Sequence, residues 1–284
     1  MIYLLSAILC SSLIAIVFKV TETKNLNRYL ITLFNYLTAS LISLYFLINN
    51  SLVIFKKAPI NDLLVLTIIG FTTGFLFYYS FILYQKNIKN HGASITGMFI
   101  KLGILIPMFI SIILWKEYPS TIQTIAIIGS ISAIILINLN FKSESTFEFK
   151  FNLILLFFIG GMAEFANKIF QKYFLLKYKP LFLFIVFFSA FLFSLNKVKS
   201  EKIKLNKREF KFGILVGFFN LFSSFFLIES LQFVKTSIAF ALFSSLSMSL
   251  ILIISFLFFK EKLKNKDKLA ITITIISLFI INKF

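Results

Sequence analysis

The chain has 284 residues, 59% of them apolar, and a mean hydropathy of +0.93. A soluble fold of this length cannot hide so much apolar surface, so the composition excludes a soluble domain and predicts a helical membrane protein. The net charge of +18 could indicate a nucleic-acid ligand, but most Lys and Arg residues lie in short loops. That distribution is typical of topology determinants and lipid-headgroup contacts, and we expect no nucleic-acid partner.

Ten apolar stretches are long enough to cross a bilayer as helices. Unbroken apolar runs such as 181–193 do not alternate as the strands of a membrane barrel do. The first stretch lacks a basic leader and a small-residue cleavage site, so we expect a retained helix rather than a signal peptide. The ten predicted spans are 2–18, 29–48, 63–84, 93–115, 121–140, 152–171, 180–195, 212–232, 236–259 and 268–282.

The loops between these spans differ in charge. Loops after odd-numbered spans carry 18 Lys and Arg residues, or 19 with Lys268 at the start of the tenth span, whereas even-numbered loops and the C-terminus carry 8. The positive-inside rule therefore places the odd loops in the cytoplasm and both termini outside.

In the first half, the third span carries Gly70 and Gly74 as a GxxxG motif, which favours close helix packing. The same span carries Tyr78 and Tyr79, which are candidates for lining a cavity. Neutral polar residues in a span serve helix packing equally well, so each alone is weak evidence for a cavity.

The fourth span contains Lys101 near its middle and Pro107, which can bend the helix. No acidic residue lies three or four positions from Lys101, so its partner must come from another helix, and Glu164 is best placed by depth. Two interpretations stay open, a structural bridge and a cation that binds the anionic end of a substrate. Glu117 ends this span, where an interfacial anchor is favoured over transport chemistry.

The sixth span contains the run GGMAEFANKIF. Glu164 and Lys168 are four residues apart and share one helix face with Asn167. They form either a self-neutralising pair that holds helices together or the lining of a translocation pathway, in which Glu164 titrates or contacts substrate. We favour the second, because ionisable groups at this depth are costly unless they face a cavity or each other.

The last spans carry a second GxxxG motif, Gly213 and Gly217, and neutral polar residues that include Asn220 and Ser245. Glu229, near the end of the eighth span, could instead reach the interface. Glu261 ends the ninth span as Glu117 ends the fourth.

The two halves repeat each other. Residues 113–138 align without a gap to 257–282, so Glu117 matches Glu261, and the two GxxxG motifs correspond. Five helices per half is an odd number, so the second copy is inverted in the membrane, which is typical of transporters. We predict two inverted five-helix repeats, at 1–140 and 152–284.

Residues 93–120 and their counterpart 237–264 resemble the EamA-type transporters of the drug/metabolite transporter superfamily. The features that carry the resemblance are a start of small residues (Ala93 and Ser94), a proline in the middle of the helix in the first copy (Pro107), and a glutamate that closes each helix (Glu117 and Glu261). The resemblance implies ten helices around a central cavity, in a bacterial cell membrane. It also implies cytoplasmic termini, which conflicts with the charge count and leaves the orientation open.

The function predicted from these features is secondary-active transport, by export, of a small polar metabolite such as an amino acid, with protons as the coupling ion. Alternatives are uptake of a choline-like cation, drug efflux, and a membrane scaffold. With one Cys, one His and no Walker A motif, we expect no catalytic residue, metal or cofactor. The expected partners are the substrate and the bilayer, for a monomer or homodimer.

Overall fold

The computed structural model describes residues 1–55, 60–138, 147–259 and 265–283, and within them the regular structure is helical. A 3-10 turn over Leu176–Tyr178 precedes the seventh helix. The all-helical prediction is confirmed. The helices, numbered in chain order, are α1 (Ile2–Thr23), α2 (Arg28–Phe55), α3 (Ile60–Leu102), α4 (Leu105–Trp115), α5 (Thr121–Asn138), α6 (Phe147–Tyr173), α7 (Lys179–Ser200), α8 (Lys207–Ser230), α9 (Thr236–Phe259) and α10 (Asn265–Lys283).

In the part of the chain that the structure describes, seven helices are long and apolar enough to cross a membrane. They are α1, α2, α3, α6, α7, α8 and α9. Three shorter apolar stretches add to them, Phe99–Trp115, Thr121–Leu136 and Lys268–Ser277. The chain is therefore an integral membrane protein.

The first part of α3 runs alongside α7. Gly70 lies beside Ile185, and Gly74 lies beside Val186 and Ser189, so both segments advance in the same direction. The ring of Tyr78 then stacks on Phe193, with centroids 5.8 Å apart.

The later part of α3 runs alongside α6 instead. The side chain of Asn87 donates a hydrogen bond to the carbonyl oxygen of Asn152, and Gly103 lies beside Phe157 and Gly161. A short connection joins α6 to α7, and Phe170 near the end of α6 stacks on Phe182 near the start of α7, so the two helices run in opposite directions. The two parts of α3 therefore also run in opposite directions.

A straight helix of 43 residues would be about 65 Å long, twice the thickness of a hydrocarbon core. The chain instead turns back between Tyr78 and Asn87. Our prediction of a loop over 85–92 was wrong, because these residues are helical. The change of direction nevertheless lies close to the predicted loop.

The break near Pro107 has a backbone cause. Proline has no N–H, so the carbonyl oxygen of Gly103 receives no bond from residue 107. The N–H of Ile106 donates to that oxygen at 3.0 Å, and the chain forms a turn at Gly103 and Ile104. The predicted fourth span is therefore divided between the end of α3 and α4.

Both GxxxG motifs lie where two helices approach closely. A side chain on Gly74 would overlap the carbonyl oxygen of Val186 in α7. A side chain on Gly217 would overlap the carbonyl oxygen of Asn35 in α2. Since α3 and α8 correspond in the repeat, as do α7 and α2, the two contacts are equivalent. The packing thus follows the two-repeat pattern of the sequence.

Candidate functional site

Glu164 lies on α6, and its side chain is partly accessible. The side-chain amide of Asn167, which is only 1% exposed, donates a hydrogen bond of 3.1 Å to Oε2 of Glu164. One turn earlier, Gly160 lies against Ile100 at the end of α3. The absence of a side chain at Gly160 lets α3 approach α6 just below the carboxylate.

Lys101 lies at this close approach, beside Ile100. Its ammonium lies 5.6 Å from the centre of the Phe243 ring in α9, within the range of a cation–π contact. The hydroxyl of Ser244 donates a hydrogen bond of 3.1 Å to the carbonyl oxygen of Lys101, which fixes α3 against α9. The basic side chain is therefore held between α6 and α9.

The charges of Lys101 and Glu164 interact electrostatically. Among the described residues, no ion pair within 4.0 Å joins these two side chains. Both are partly accessible, whereas Asn167 and Ser244 beside them are buried. We name Lys101, Glu164, Asn167 and Phe243 the central cluster. It offers one positive group, one negative group and an aromatic face, which suits a ligand that carries both charges.

Lys168 is not paired with Glu164. Its ammonium lies 2.8 Å from Oε1 of Glu117, which follows α4, and donates a hydrogen bond of 3.0 Å to Gln171. It also lies 5.4 Å from the centre of the Trp115 ring. Lys168 is 3% exposed, so its charge is satisfied inside the protein. We name Lys168, Glu117, Gln171 and Trp115 the end cluster.

Glu117 also joins α9 to the end cluster. Its Oε2 accepts a hydrogen bond of 3.0 Å from the backbone N–H of Thr236, the first residue of α9. Burial raises the pKa of Glu117, but the hydrogen bonds from Lys168 and Thr236 outweigh it, so the pKa lies below its ordinary value. A carboxylate at a helix N-terminus also interacts favourably with the helix dipole. Glu117 therefore connects the end of α4 with both α6 and α9.

A second buried pair lies where α7 begins and α8 ends. The ammonium of Lys179 contacts Oε1 of Glu229 and the face of the Phe225 ring. The side chain of Gln232 donates a further hydrogen bond to Glu229. Lys179 was not among the residues predicted from the sequence. Adjacent antiparallel helices bring the start of one to the end of the next, and this could have revealed the pair.

The contacts of the other predicted site residues are made outside the central cluster. Tyr78 stacks on Phe193 and interacts with Lys197 near the end of α7, and Tyr79 stacks on Phe75. The side-chain amide of Asn220 donates to the side chain of Asn35 at 3.0 Å. Ser245 is buried and donates to the carbonyl oxygen of Ala241 in its own helix. Glu261 lies outside the described residues.

Sequence reasoning missed two aromatic neighbours of the charged groups, Trp115 and Phe243. Trp115 is the one tryptophan of the chain, which was a usable signal. Phe243 is one of 40 phenylalanines, so nothing in the sequence distinguished it. Among the residues that the structure describes, no cluster of three His, Cys, Asp or Glu side chains could hold a metal ion.

Comparison with known proteins agrees with the fold. The model of the EamA-like transporter family matches the chain twice, over residues 1–139 and 152–283. No curated protein matches the sequence. A solved structure titled "Crystal structure of protein" is similar over 98% of this chain and 94% of that chain, with a TM-score of 0.76 and 10% sequence identity. At that identity the likeness extends to the fold alone.

Proposed function

This chain belongs to the EamA-like transporter family, and from that premise we propose that it is a secondary-active exporter of a small zwitterionic metabolite of the amino-acid type. Membership already makes it a membrane transporter of the drug/metabolite type. The substrate class, the direction and the coupling ion are the proposal. The observation that carries it is the central cluster, where Lys101 and Glu164 interact without forming an ion pair.

An ionisable side chain inside a membrane protein is costly unless it faces a partner or a polar space. A direct ion pair offsets that cost for Lys168 and Glu117. In the central cluster the two charges instead remain separate, on residues that are half-buried. The carboxylate of an amino acid can bind Lys101 while its ammonium group binds Glu164 and contacts the Phe243 ring. The bound substrate then supplies the opposite charge that each of the two side chains lacks.

We assign the coupling role to Glu164. A carboxylate that alternates between binding a proton and binding the substrate's ammonium group exchanges one for the other across the membrane. Asn167 supports this role, because its amide donates to the ionised form of Glu164 at 3.1 Å. The end cluster holds α6 against α9 and the end of α4, and we infer that it closes one side of the pathway in this conformation.

Two repeated five-helix halves, 1–140 and 152–284, provide the frame for alternating access, since inverted halves can exchange conformations around one site. In this proposal ten segments cross a bacterial cell membrane, with the two parts of α3 as separate spans and α4 completing the fourth. The charge of the loops favours a cytoplasmic position for residues 197–211. Labelling of a cysteine introduced at Ser200 from outside intact cells would contradict that orientation.

A thermal-shift screen of the purified protein tests the substrate class, because a ligand stabilises the native state by mass action. The screen compares neutral amino acids, choline-like cations and sugar phosphates. We expect stabilisation by amino acids, reduced when either their ammonium or their carboxylate group is blocked. Stabilisation by choline-like cations alone would favour cation transport, with Glu164 and Phe243 as the site, and would overturn the proposed role of Lys101.

A further inference from the structure

A basic cleft lies where α1 ends and α8 begins, apart from both charged clusters. Its lining residues are Lys24, Leu26, Arg208, Lys211 and Phe212. Three of these five residues are cations, and they come from two segments far apart in the sequence. The ammonium of Lys24 lies 5.1 Å from the centre of the Phe212 ring, so the two segments meet across the cleft.

Among the residues that the structure describes, no ion pair neutralises the cations of this cleft. The three ion pairs found in the described part of the chain involve Lys168, Lys179 and Lys197, none of which lines the cleft. The acid closest in sequence, Glu209, is 5% exposed, and its Oε1 accepts a hydrogen bond of 3.2 Å from the N–H of Asn27. Its Oε2 is buried and has no hydrogen-bond partner among the described residues. The carboxylate therefore stabilises the start of α2 and does not pair with Lys24, Arg208 or Lys211.

The depth of the cleft in the membrane follows from the two spans that it adjoins. The membrane-spanning part of α1 ends at Thr21, and that of α8 begins at Lys207. Lys24, Arg208 and Lys211 thus lie at the boundary between hydrocarbon and water, where phospholipid phosphates are found. Leu26 and Phe212 provide an apolar surface beside the three charges.

We propose that this cleft binds the phosphate of an anionic phospholipid headgroup. The ammonium groups of Lys24 and Lys211 neutralise the phosphate, and the planar guanidinium of Arg208 donates two parallel hydrogen bonds to its oxygens. Leu26 and Phe212 contact the adjoining part of the lipid chains. Free inorganic phosphate shares the charged contacts but not the apolar ones, so the two ligands can be told apart.

The test titrates the purified full chain in detergent with short-chain phosphatidylglycerol, short-chain phosphatidylcholine or inorganic phosphate, and measures the melting temperature. We expect phosphatidylglycerol to raise it, with a much smaller effect of the other two. The triple variant Lys24→Gln, Arg208→Gln, Lys211→Gln should weaken phosphatidylglycerol binding by about fivefold for each cation removed.

A matched control removes three exposed cations of the same basic segment that do not line the cleft, Lys199→Gln, Lys204→Gln and Lys207→Gln. This control should bind phosphatidylglycerol as the native chain does. Equal weakening in both triple variants would show diffuse attraction and overturn the site. Stabilisation by inorganic phosphate equal to that by phosphatidylglycerol would overturn the lipid assignment, as would no effect of phosphatidylglycerol on the native chain. If the cleft variant does not fold, the three single substitutions replace it, each expected to cost about fivefold.

Discussion

The end cluster and the central cluster contain the same two charged residue types in different arrangements. At the end of the bundle, Lys168 lies 2.8 Å from Glu117, and hydrogen bonds complete the coordination of both groups. In the middle, Lys101 and Glu164 interact electrostatically without an ion pair within 4.0 Å. The end cluster joins α6 to the end of α4 and the start of α9, and the central cluster lies where α3 meets α6 and α9. The two clusters therefore share two helices and differ in how their charges are satisfied.

This difference distinguishes a pair that serves stability from a pair that serves transport. A buried pair whose donors and acceptors are all used contributes to stability only while both partners remain. In a separated pair, each charged group can still form a hydrogen bond or an ion pair with a ligand. Substitutions in the end cluster should therefore act first on stability, and substitutions in the central cluster should act first on substrate binding and transport.

The largest effect is expected from Glu164→Gln, which removes the titratable charge and preserves volume. Transport should fall by at least about 100-fold, because a loss of about 3 kcal/mol is typical when one partner of a desolvated charge contact is removed. The amount of folded protein should change little, since the side-chain oxygen of the introduced glutamine can still accept the hydrogen bond from Asn167. Transport by purified protein in vesicles at several pH values is the measurement. Retention of pH-dependent transport would rule out Glu164 as the coupling group.

Lys101→Gln should weaken binding of an amino acid by about 10- to 100-fold, the range expected for loss of one charge-assisted hydrogen bond. The same change should affect an analogue without a carboxylate much less, because that analogue does not use Lys101. Titration calorimetry with the two ligands measures the ratio. Equal weakening for both would show that Lys101 acts through the fold rather than through the substrate's carboxylate.

In the end cluster, Glu117→Gln should destabilise the protein by about 3 kcal/mol, because it leaves the buried Lys168 without its counter-charge. The double variant Glu117→Gln, Lys168→Met should recover much of that loss, since no isolated charge then remains. Denaturant unfolding in detergent gives both values. If the single variant is as stable as the native chain, the pair contributes nothing to stability.

The smallest effect concerns acid stability. Because the folded-state pKa of Glu117 is lowered from its ordinary value of 4.5, its ionised form stabilises the native state at pH above 4.5. That contribution should be lost progressively as the pH falls below 4.5 towards the lowered value. Melting temperatures measured from pH 7 to pH 3 should show this loss in the native chain. Glu117→Gln should lack that part of the pH dependence, and identical curves would contradict the assignment.

The sequence predicted these two clusters to different extents. The depth of Lys101 and the lack of a nearby acid on its own helix indicated a partner from another helix. In the structure its ammonium lies against the Phe243 ring of α9 and interacts electrostatically with Glu164 of α6. The partner of Lys168 was not predictable in the same way. Glu164 lies four residues away, which favours a pair on one helix, whereas Glu117 is distant in the sequence and approaches only through the packing of α6 against α4 and α9.

The fold was predictable where hydrophobic length decides it. Spans such as 236–259 agree with α9 because a long apolar run can only be a membrane helix. The change of direction within α3 was harder to locate, because the polar residues of 85–92 suggested a loop although the backbone there is helical. The bend caused by Pro107 was predicted, and the structure locates the resulting turn at Gly103 and Ile104, because the missing N–H of Pro107 removes the helical hydrogen bond to Gly103.

A substrate site at the central cluster is tested most sharply by ligand-dependent stabilisation, measured side by side in Glu164→Gln, Lys101→Gln and the double variant Glu117→Gln, Lys168→Met. A saturating neutral amino acid is added to each variant, and the rise in melting temperature is compared with that of the native chain. We predict that the rise is much smaller in the two central variants and persists in the end-cluster variant. The reverse pattern, with the rise lost only in the end-cluster variant, would contradict this assignment and move the substrate site to Lys168 and Glu117.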